Sequence, residues 1–231
     1  MNTHKKTAII VGVLFIIGTV AGSTSIVFTG PILDDPDYLA KVSTNENQII
    51  IGALLVLIMG LALAMVPVMM FPILKRHNET LALGYVVFRG GLETVTYIAN
   101  VFSLLLLITL SQEYVKAGAP DASYLQNWGT LLLEADFQIN PILKIVFSLG
   151  ALMFYYLLYQ SKLIPRWLSG WGLFGATLHL ASGLLVMFGS LTEFPILGIF
   201  WDLPIALQEM VMAIWLIVKG FNSSAIASEA V

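Results

Sequence analysis

Residues 49–71 read IIIGALLVLIMGLALAMVPVMMF and contain no charged side chain. An α-helix of about 20 mainly apolar residues is long enough to cross roughly 30 Å of hydrocarbon. The stretch therefore predicts a membrane-spanning helix. Five other stretches have the same character, which predicts six spans in all, at residues 7–28, 49–71, 81–110, 141–159, 167–188 and 196–218.

The composition supports a membrane protein and excludes most soluble classes. Hydrophobic residues make up 58% of the 231 residues, and charged residues make up only 11%. The mean hydropathy is +0.88, which is far from that of a soluble domain. Because the spans fill nearly the whole chain, we predict one integral membrane domain over residues 1–231. Cysteine is absent, so disulfides, thiolate nucleophiles and cysteine metal sites are excluded.

The distribution of lysine and arginine predicts the topology, because cytoplasmic loops carry an excess of these residues. With both termini in the cytoplasm, only Lys41 and Lys116 fall in outer loops. The first span resembles a signal peptide after Lys5 and Lys6, but its apolar run is longer than usual, so we expect it to be retained. The cytoplasmic basic residues are then Lys5, Lys6, Lys75, Arg76, Lys162, Arg166 and Lys219.

The connection between the third and fourth spans has an amphipathic pattern near a helical period. Its apolar residues include Leu125, Trp128 and Leu132, and tryptophan favours the membrane–water interface. We predict an outer interfacial helix over residues 121–139. The predicted fold is therefore all-α, a polytopic membrane bundle of six spans with one outer amphipathic segment.

Four ionisable residues lie deep inside predicted spans: Arg89, Glu93, His179 and Glu209. At ~1.5 Å per residue, Glu93, His179 and Glu209 lie roughly 15 to 19 Å from the cytoplasmic ends of their spans. An ionised side chain at the bilayer centre is costly, so such groups face the interior of a bundle and one another. This convergence predicts a polar intramembrane chamber.

Other polar residues extend this chamber or form separate contacts. Arg89 lies four residues before Glu93, so the two share a helix face and are expected to pair along it. Asn100 follows Glu93 on that face, and Gln208 adjoins Glu209 and is expected to help solvate it. Lys144 and Asp202 fall at a similar depth and predict a secondary ion pair, although Asp202 before Pro204 equally suggests a helix N-cap. We predict no metal site, since single ligands scattered over three spans lack the spacing of a metal motif, and no cofactor.

Three stretches carry a family resemblance: YQSKLIPRWLS at 159–169, PIALQEM at 204–210 and WLIVKGF at 215–221. Together with the segment from Arg89 to Glu93, they resemble the bacterial membrane family catalogued as domain of unknown function 4386. The resemblance covers most of the chain. It implies a multi-pass protein of the bacterial cytoplasmic membrane and assigns no activity.

Three functional hypotheses follow. The leading one is that the chamber, with Arg89, Glu93, Asn100, His179, Gln208 and Glu209 as candidate ligand-binding residues, binds or transports a small cationic or amphipathic molecule, or protons. The first alternative is an intramembrane enzyme acting on a lipid or isoprenoid, with Glu209 as general base, so that catalytic residues remain open. The second is an accessory subunit whose polar groups only lock helix packing. We expect membrane lipids and a small-molecule ligand as partners and no nucleic acid, while protein partners remain unspecified.

Overall fold

The computed structural model describes residues 3–117, 119–191, 195–222 and 224–225, and at 119–122 and 195–199 it describes the backbone alone. Within these ranges the secondary structure is entirely helical. The elements are α1 (Thr3–Leu33), α2 (Tyr38–Thr44), α3 (Glu46–Leu74), α4 (Glu79–Tyr85), a π-helical segment (Val86–Leu92), α5 (Glu93–Lys116), α6 (Ala119–Ser161), α7 (Arg166–Met187) and α8 (Pro195–Val218).

Six helical stretches of the described chain are long and apolar enough to cross a membrane. The third of them, Glu79–Lys116, runs through α4, the π-helical segment and α5 without a break. The six predicted spans and the all-α class are thereby confirmed. The stretches are Thr3–Leu33, Glu46–Leu74, Glu79–Lys116, Ser123–Ser161, Arg166–Met187 and Phe200–Val218.

The spans form a ring in chain order. Each span packs against the preceding and the following one, and α8 packs back against α1 to close the ring. Small residues permit this closure, because a Cβ added at Gly12 of α1 would lie 2.6 Å from the carbonyl oxygen of Ala213 in α8. Without a hydrophobic driving force between helices in lipid, close backbone approach of this kind holds such bundles together.

Because successive spans run in opposite directions, the loop charges separate to two ends of the ring. We call the end that carries Lys5, Lys6, Lys75, Arg76, Lys162, Arg166 and Lys219 the basic end. We call the opposite end, which carries Asp34, Asp35, Asp37, Glu46 and Glu113, the acidic end. Glu193, which belongs to the connection before α8, lies outside the described residues.

The acidic end has its own small hydrophobic cluster, separate from the main core. The short helix α2 contributes Tyr38, Leu39 and Val42, which pack against Leu104, Leu107 and other residues of α1, α3 and α5. Leu33, Leu132 and Leu133 pack against its edge. This acidic-end cluster closes the ring between the spans at that end.

The amphipathic segment predicted over residues 121–139 is not a separate helix in the structure. It forms the first half of α6, which continues through Pro141 to Ser161. A proline inside a helix removes one backbone hydrogen bond but ends the helix only if nothing else holds it. Here Leu132 and Leu133 pack against the acidic-end cluster, and Asp136 accepts a hydrogen bond from Asn100 of α5, so tertiary contacts hold the segment in line.

A second difference from prediction is the π-helical segment in the third span, where the sequence predicts a plain α-helix. Gly90 and Gly91 lie within it, and Gly150 of α6 passes so close that an added Cβ would lie 3.1 Å from Arg89 N. The hydroxyl of Thr94 donates to the carbonyl oxygen of Gly90 at 2.7 Å, just after the π-helical segment. Short π-helical turns of this kind occur frequently at functional sites.

We expect Gly172→Ala to destabilise the bundle by about 1–3 kcal/mol, the usual cost of overpacking a core. The added Cβ would lie 2.6 Å from ring atoms of Tyr155, which is fully buried. Gly170→Ala is the matched control, because it lies on the same helix and an added Cβ there would meet nothing within 4 Å. Unfolding in mixed micelles of increasing denaturing-detergent content measures both, and equal stability of the two variants would contradict the packing described.

Candidate functional site

Arg89 is the buried charge at the centre of the ring. It projects from the π-helical segment, and only 1% of its side chain is exposed. Its Nη2 donates to Glu209 Oε1 of α8 at 2.8 Å, and its Nε lies 3.3 Å from Glu93 Oε2, one turn along its own span. Arg89, Glu93 and Glu209 thus form one triad that ties the third span to the sixth.

Two aromatic rings complete the surroundings of the guanidinium. The ring of Phe147 on α6 lies 4.0 Å from Arg89 Cζ, and the ring of Phe15 on α1 lies 5.9 Å away. A guanidinium over an aromatic face is attracted by the ring quadrupole, and more strongly when both are removed from water. Arg89 therefore contacts four of the six spans of the ring, counting its own.

The triad has two carboxyl groups for one guanidinium. Of these, Glu93 is fully buried and Glu209 is 14% exposed. Buried polar atoms of Tyr85, Tyr155 and Gln208 lie in the same interior. Two carboxyl groups that share one buried cation are unfavourable for purely structural packing.

Tyr97 connects the triad to a cavity. Its hydroxyl donates to Glu93 Oε1 at 2.9 Å, and the same side chain lines a cavity of about 500 Å³ in the acidic half of the ring, between α1, α3, α5 and α6. This volume falls within the range of about 300–1,000 Å³ that is usual for small-molecule sites. A ligand in the cavity would therefore lie one side chain away from the buried carboxylate of Glu93.

The cavity wall combines apolar surface with hydrogen-bonding groups and one charge. Asp136 is the only charged residue among the described residues that line it. Asn100 Nδ2 donates to Asp136 Oδ1 at 2.8 Å, which orients the amide so that its oxygen points away from the carboxylate. Hydroxyl groups of α1, including Ser25 and Thr29, add polar surface opposite. The cavity therefore suits an amphipathic molecule with a donor-rich or cationic head.

A second polar cluster lies between α6, α7 and α8. Lys144 Nζ lies 2.7 Å from Asp202 Oδ2 and donates to Ser182 Oγ at 3.0 Å. His179 Nδ1 lies 2.9 Å from Asp202 Oδ1. The Phe147 ring, whose centroid is 5.0 Å from that of His179, separates this cluster from Arg89.

The structure thus divides five of the six predicted chamber residues among three places. Arg89, Glu93 and Glu209 meet in the triad, and Asn100 lies in the cavity. His179 pairs with Asp202 instead of joining the triad.

Two sequence interpretations of the last span need correction. Gln208 does not solvate Glu209, since its Nε2 donates to the carbonyl oxygen of Leu168 on α7 at 3.1 Å. Adjacent residues of a helix point about 100° apart, so Gln208 faces a different neighbour. Asp202 does not cap the start of the last span, because α8 begins at Pro195 and continues through Pro204; Asp202 lies within the helix and binds Lys144.

Three residues of the site escaped the sequence analysis. Tyr97 lies four residues after Glu93, so the spacing rule that pairs Arg89 with Glu93 could have found it. Asp136 was placed in an outer connection, and only the continuity of α6 brings it to the cavity. Phe147 carries no signal in the sequence, because an apolar residue within a span is unremarkable. Among the described residues, no three histidine, cysteine, aspartate or glutamate side chains come together as a metal site.

We expect Arg89→Gln to destabilise the protein by about 3–5 kcal/mol, because it leaves two buried carboxylates without their cation. Glu209→Gln should cost much less, since an amide oxygen still accepts from Arg89 and the remaining pair with Glu93 is neutral. Lys116→Gln, which breaks an exposed ion pair with Glu113, is the control and should change stability by at most about 1 kcal/mol. Unfolding free energies in mixed micelles test the order, and a loss from Glu209→Gln as large as that from Arg89→Gln would refute the charge count.

Comparison with known proteins agrees with the resemblance noted in the sequence. The model of the family described as Domain of unknown function (DUF4386) matches residues 10–220, a range that contains both polar clusters and the cavity. No curated protein and no solved structure matches the chain. With more than nine-tenths of its length inside the match, the chain belongs to the DUF4386 family.

Proposed function

We propose that this protein binds a small amphipathic or cationic molecule in the cavity between α1, α3, α5 and α6. The observation that carries the proposal is the position of Asp136, the one charged group among the described lining residues, in a mixed polar and apolar cavity. A cationic head would pair with this carboxylate, and an apolar chain would lie against the aliphatic wall. Nucleic acid has no part in the proposal.

The triad has two roles in this proposal. With both carboxyl groups ionised, the triad would carry a net negative charge that favours a cation in the neighbouring cavity, and its ion pairs hold the cavity floor at Tyr97 in a fixed position. Electrostatic attraction of this kind acts strongly in a low-dielectric interior. Arg89 keeps this net charge at one, which limits the destabilisation that two unpaired carboxylates would cause.

The orientation and location of the protein are also part of the proposal. The basic end carries seven lysine and arginine residues of the loops, and by the positive-inside rule this end faces the cytoplasm. We infer that the protein lies in the bacterial cytoplasmic membrane, in contact with membrane lipids. The cavity then lies in the outer half of the bilayer.

We expect Asp136→Asn to lower the affinity for dodecylamine by about tenfold or more, because hydrogen bonds to charged groups contribute about 1.5–3 kcal/mol. Dodecanol has the same chain and no charge, so it should bind the wild type more weakly than dodecylamine does. Its affinity should be the same for the wild type and for Asp136→Asn. Glu134→Gln is the matched control, since Glu134 lies on the same helix and is not among the cavity-lining residues. Native mass spectrometry of protein released from nanodiscs gives the adduct occupancy.

Three outcomes would separate the hypotheses. Equal dodecylamine occupancy in wild type and Asp136→Asn would reject the cationic site. Absence of any adduct, with Arg89→Gln merely less stable, would support the accessory-subunit alternative. Chemical change of a bound lipid or isoprenoid in the same spectra, lost in Glu209→Gln, would support the intramembrane enzyme.

Proton movement is the second candidate, and the presence of two carboxylates on one guanidinium favours it. Such an arrangement can take up one proton and become neutral. We expect wild-type proteoliposomes to move protons under an imposed pH gradient, and Glu93→Gln to abolish that movement, as followed by a trapped pH-sensitive dye. Equal flux in wild type, Glu93→Gln and protein-free liposomes would exclude this function.

A further inference from the structure

The walls of the cavity differ in exposure. The residues contributed by α3 and α5, such as Val56, Tyr97 and Leu104, are buried. On the other side, Thr19, Ser23 and Ile26 of α1 and Asn140 of α6 line the cavity and are exposed. The cavity is therefore open along the side where α1 faces α6.

Along the ring axis, residues of the two hydrophobic clusters line both ends of the cavity. Towards the acidic end, Leu33 and Leu104 line the cavity and belong to, or pack against, the acidic-end cluster. Towards the centre of the ring, Val56, Tyr97 and Leu143 belong to, or pack against, the main core. The described residues thus leave the gap between α1 and α6 as the way into the cavity.

The surfaces beside this gap are apolar. Val20 and Val27 of α1 are 57% and 70% exposed, and Phe137 and Ile142 of α6 are each 45% exposed. Both helices are long and apolar enough to cross a membrane, and we infer that the exposed apolar side chains at these positions contact hydrocarbon. The gap accordingly opens into the bilayer and not into an aqueous vestibule.

We propose that the gap between α1 and α6 is a lateral portal through which a single-chain amphiphile with an ammonium head passes from the membrane into the cavity. The inference rests on the proposed function and adds the route and the class of ligand. The head would slide past Ser23 and Asn140, whose polar groups line the rim, and pair with Asp136. The chain would remain among Ile26, Met59 and Leu143, continuous with the hydrocarbon outside.

The acceptor groups inside the portal explain the preference for an ammonium head. Asp136 is a carboxylate, and the amide of Asn100 directs its hydrogen towards that carboxylate and its oxygen away from it. An ammonium group has three donors and no acceptor, so it matches this set. No lysine or arginine is among the described lining residues, and an anionic head would therefore meet no cation.

The portal can be tested without knowledge of the natural ligand. The chain has no cysteine, so Met59→Cys on the cavity wall provides a unique thiol. In proteoliposomes we expect this thiol to react with an alkyl maleimide dissolved in the bilayer and to escape a sulfonated, water-soluble maleimide. Adding Ser23→Trp at the rim should slow the lipid-phase reaction at least about tenfold, which corresponds to a barrier increase of about 1.4 kcal/mol.

Matched controls keep the test specific. Val13→Trp places the same bulk on α1 at an exposed position further along the helix that is not among the lining residues, and should leave the rate unchanged. Asn140→Trp closes the gap from α6 if Ser23→Trp fails to fold, with the exposed Tyr156→Trp on the same helix as its control. All comparisons share the Met59→Cys thiol, so its intrinsic reactivity cancels.

The two proposals fail in different ways. Labelling of Met59→Cys by the sulfonated reagent at the rate of the alkyl reagent would overturn the portal, as would rates unaffected by both rim tryptophans. The proposed binding function would stand after either result if Asp136→Asn still lowered the affinity for dodecylamine. The opposite result is also possible. If the rim tryptophans slowed labelling from the bilayer but Asp136→Asn left dodecylamine affinity unchanged, the portal would be supported and the cationic site rejected.

Discussion

The structure depends on the burial of one guanidinium at the centre of a ring of membrane helices. Arg89 is almost completely removed from solvent and is shared between Glu93 on its own span and Glu209 on α8. An isolated charge at this depth would be strongly unfavourable, so the two spans must bring their carboxylates to it. This requirement fixes the position of the sixth span relative to the third, and the ring closes through α8 and α1.

Backbone geometry follows from the same constraint. Arg89 projects from a π-helical segment, and Gly150 lets α6 approach its backbone closely. Phe147, one turn before Gly150 on α6, then lies over the guanidinium at 4.0 Å. Three features thus contribute to the burial of Arg89. They are the π-helical segment, the close approach of α6 at Gly150 and the contact with the Phe147 ring.

Phe147 also keeps two polar clusters apart. On one side two carboxyl groups share Arg89, and on the other Lys144, Asp202 and His179 form a compact network with Ser182. The cavity lies between the triad and the acidic-end cluster, and Tyr97 joins the cavity to the triad through its hydrogen bond to Glu93. The centre of the ring is therefore filled by ionisable and aromatic groups, and the cavity lies on its acidic side.

The sequence by itself determined the class of protein, the six spans and the pairing of Arg89 with Glu93, because hydrophobic length and helical spacing are local properties that need no knowledge of neighbours. Only the tertiary structure decided which partner each polar residue takes: Glu209 joins Arg89, His179 joins Asp202 and Gln208 turns to α7. It also decided that α6 continues through Pro141, which brings Asp136 to the cavity. These outcomes depend on the rotation of each helix about its axis and on contacts between spans far apart in the chain, and no single segment encodes them.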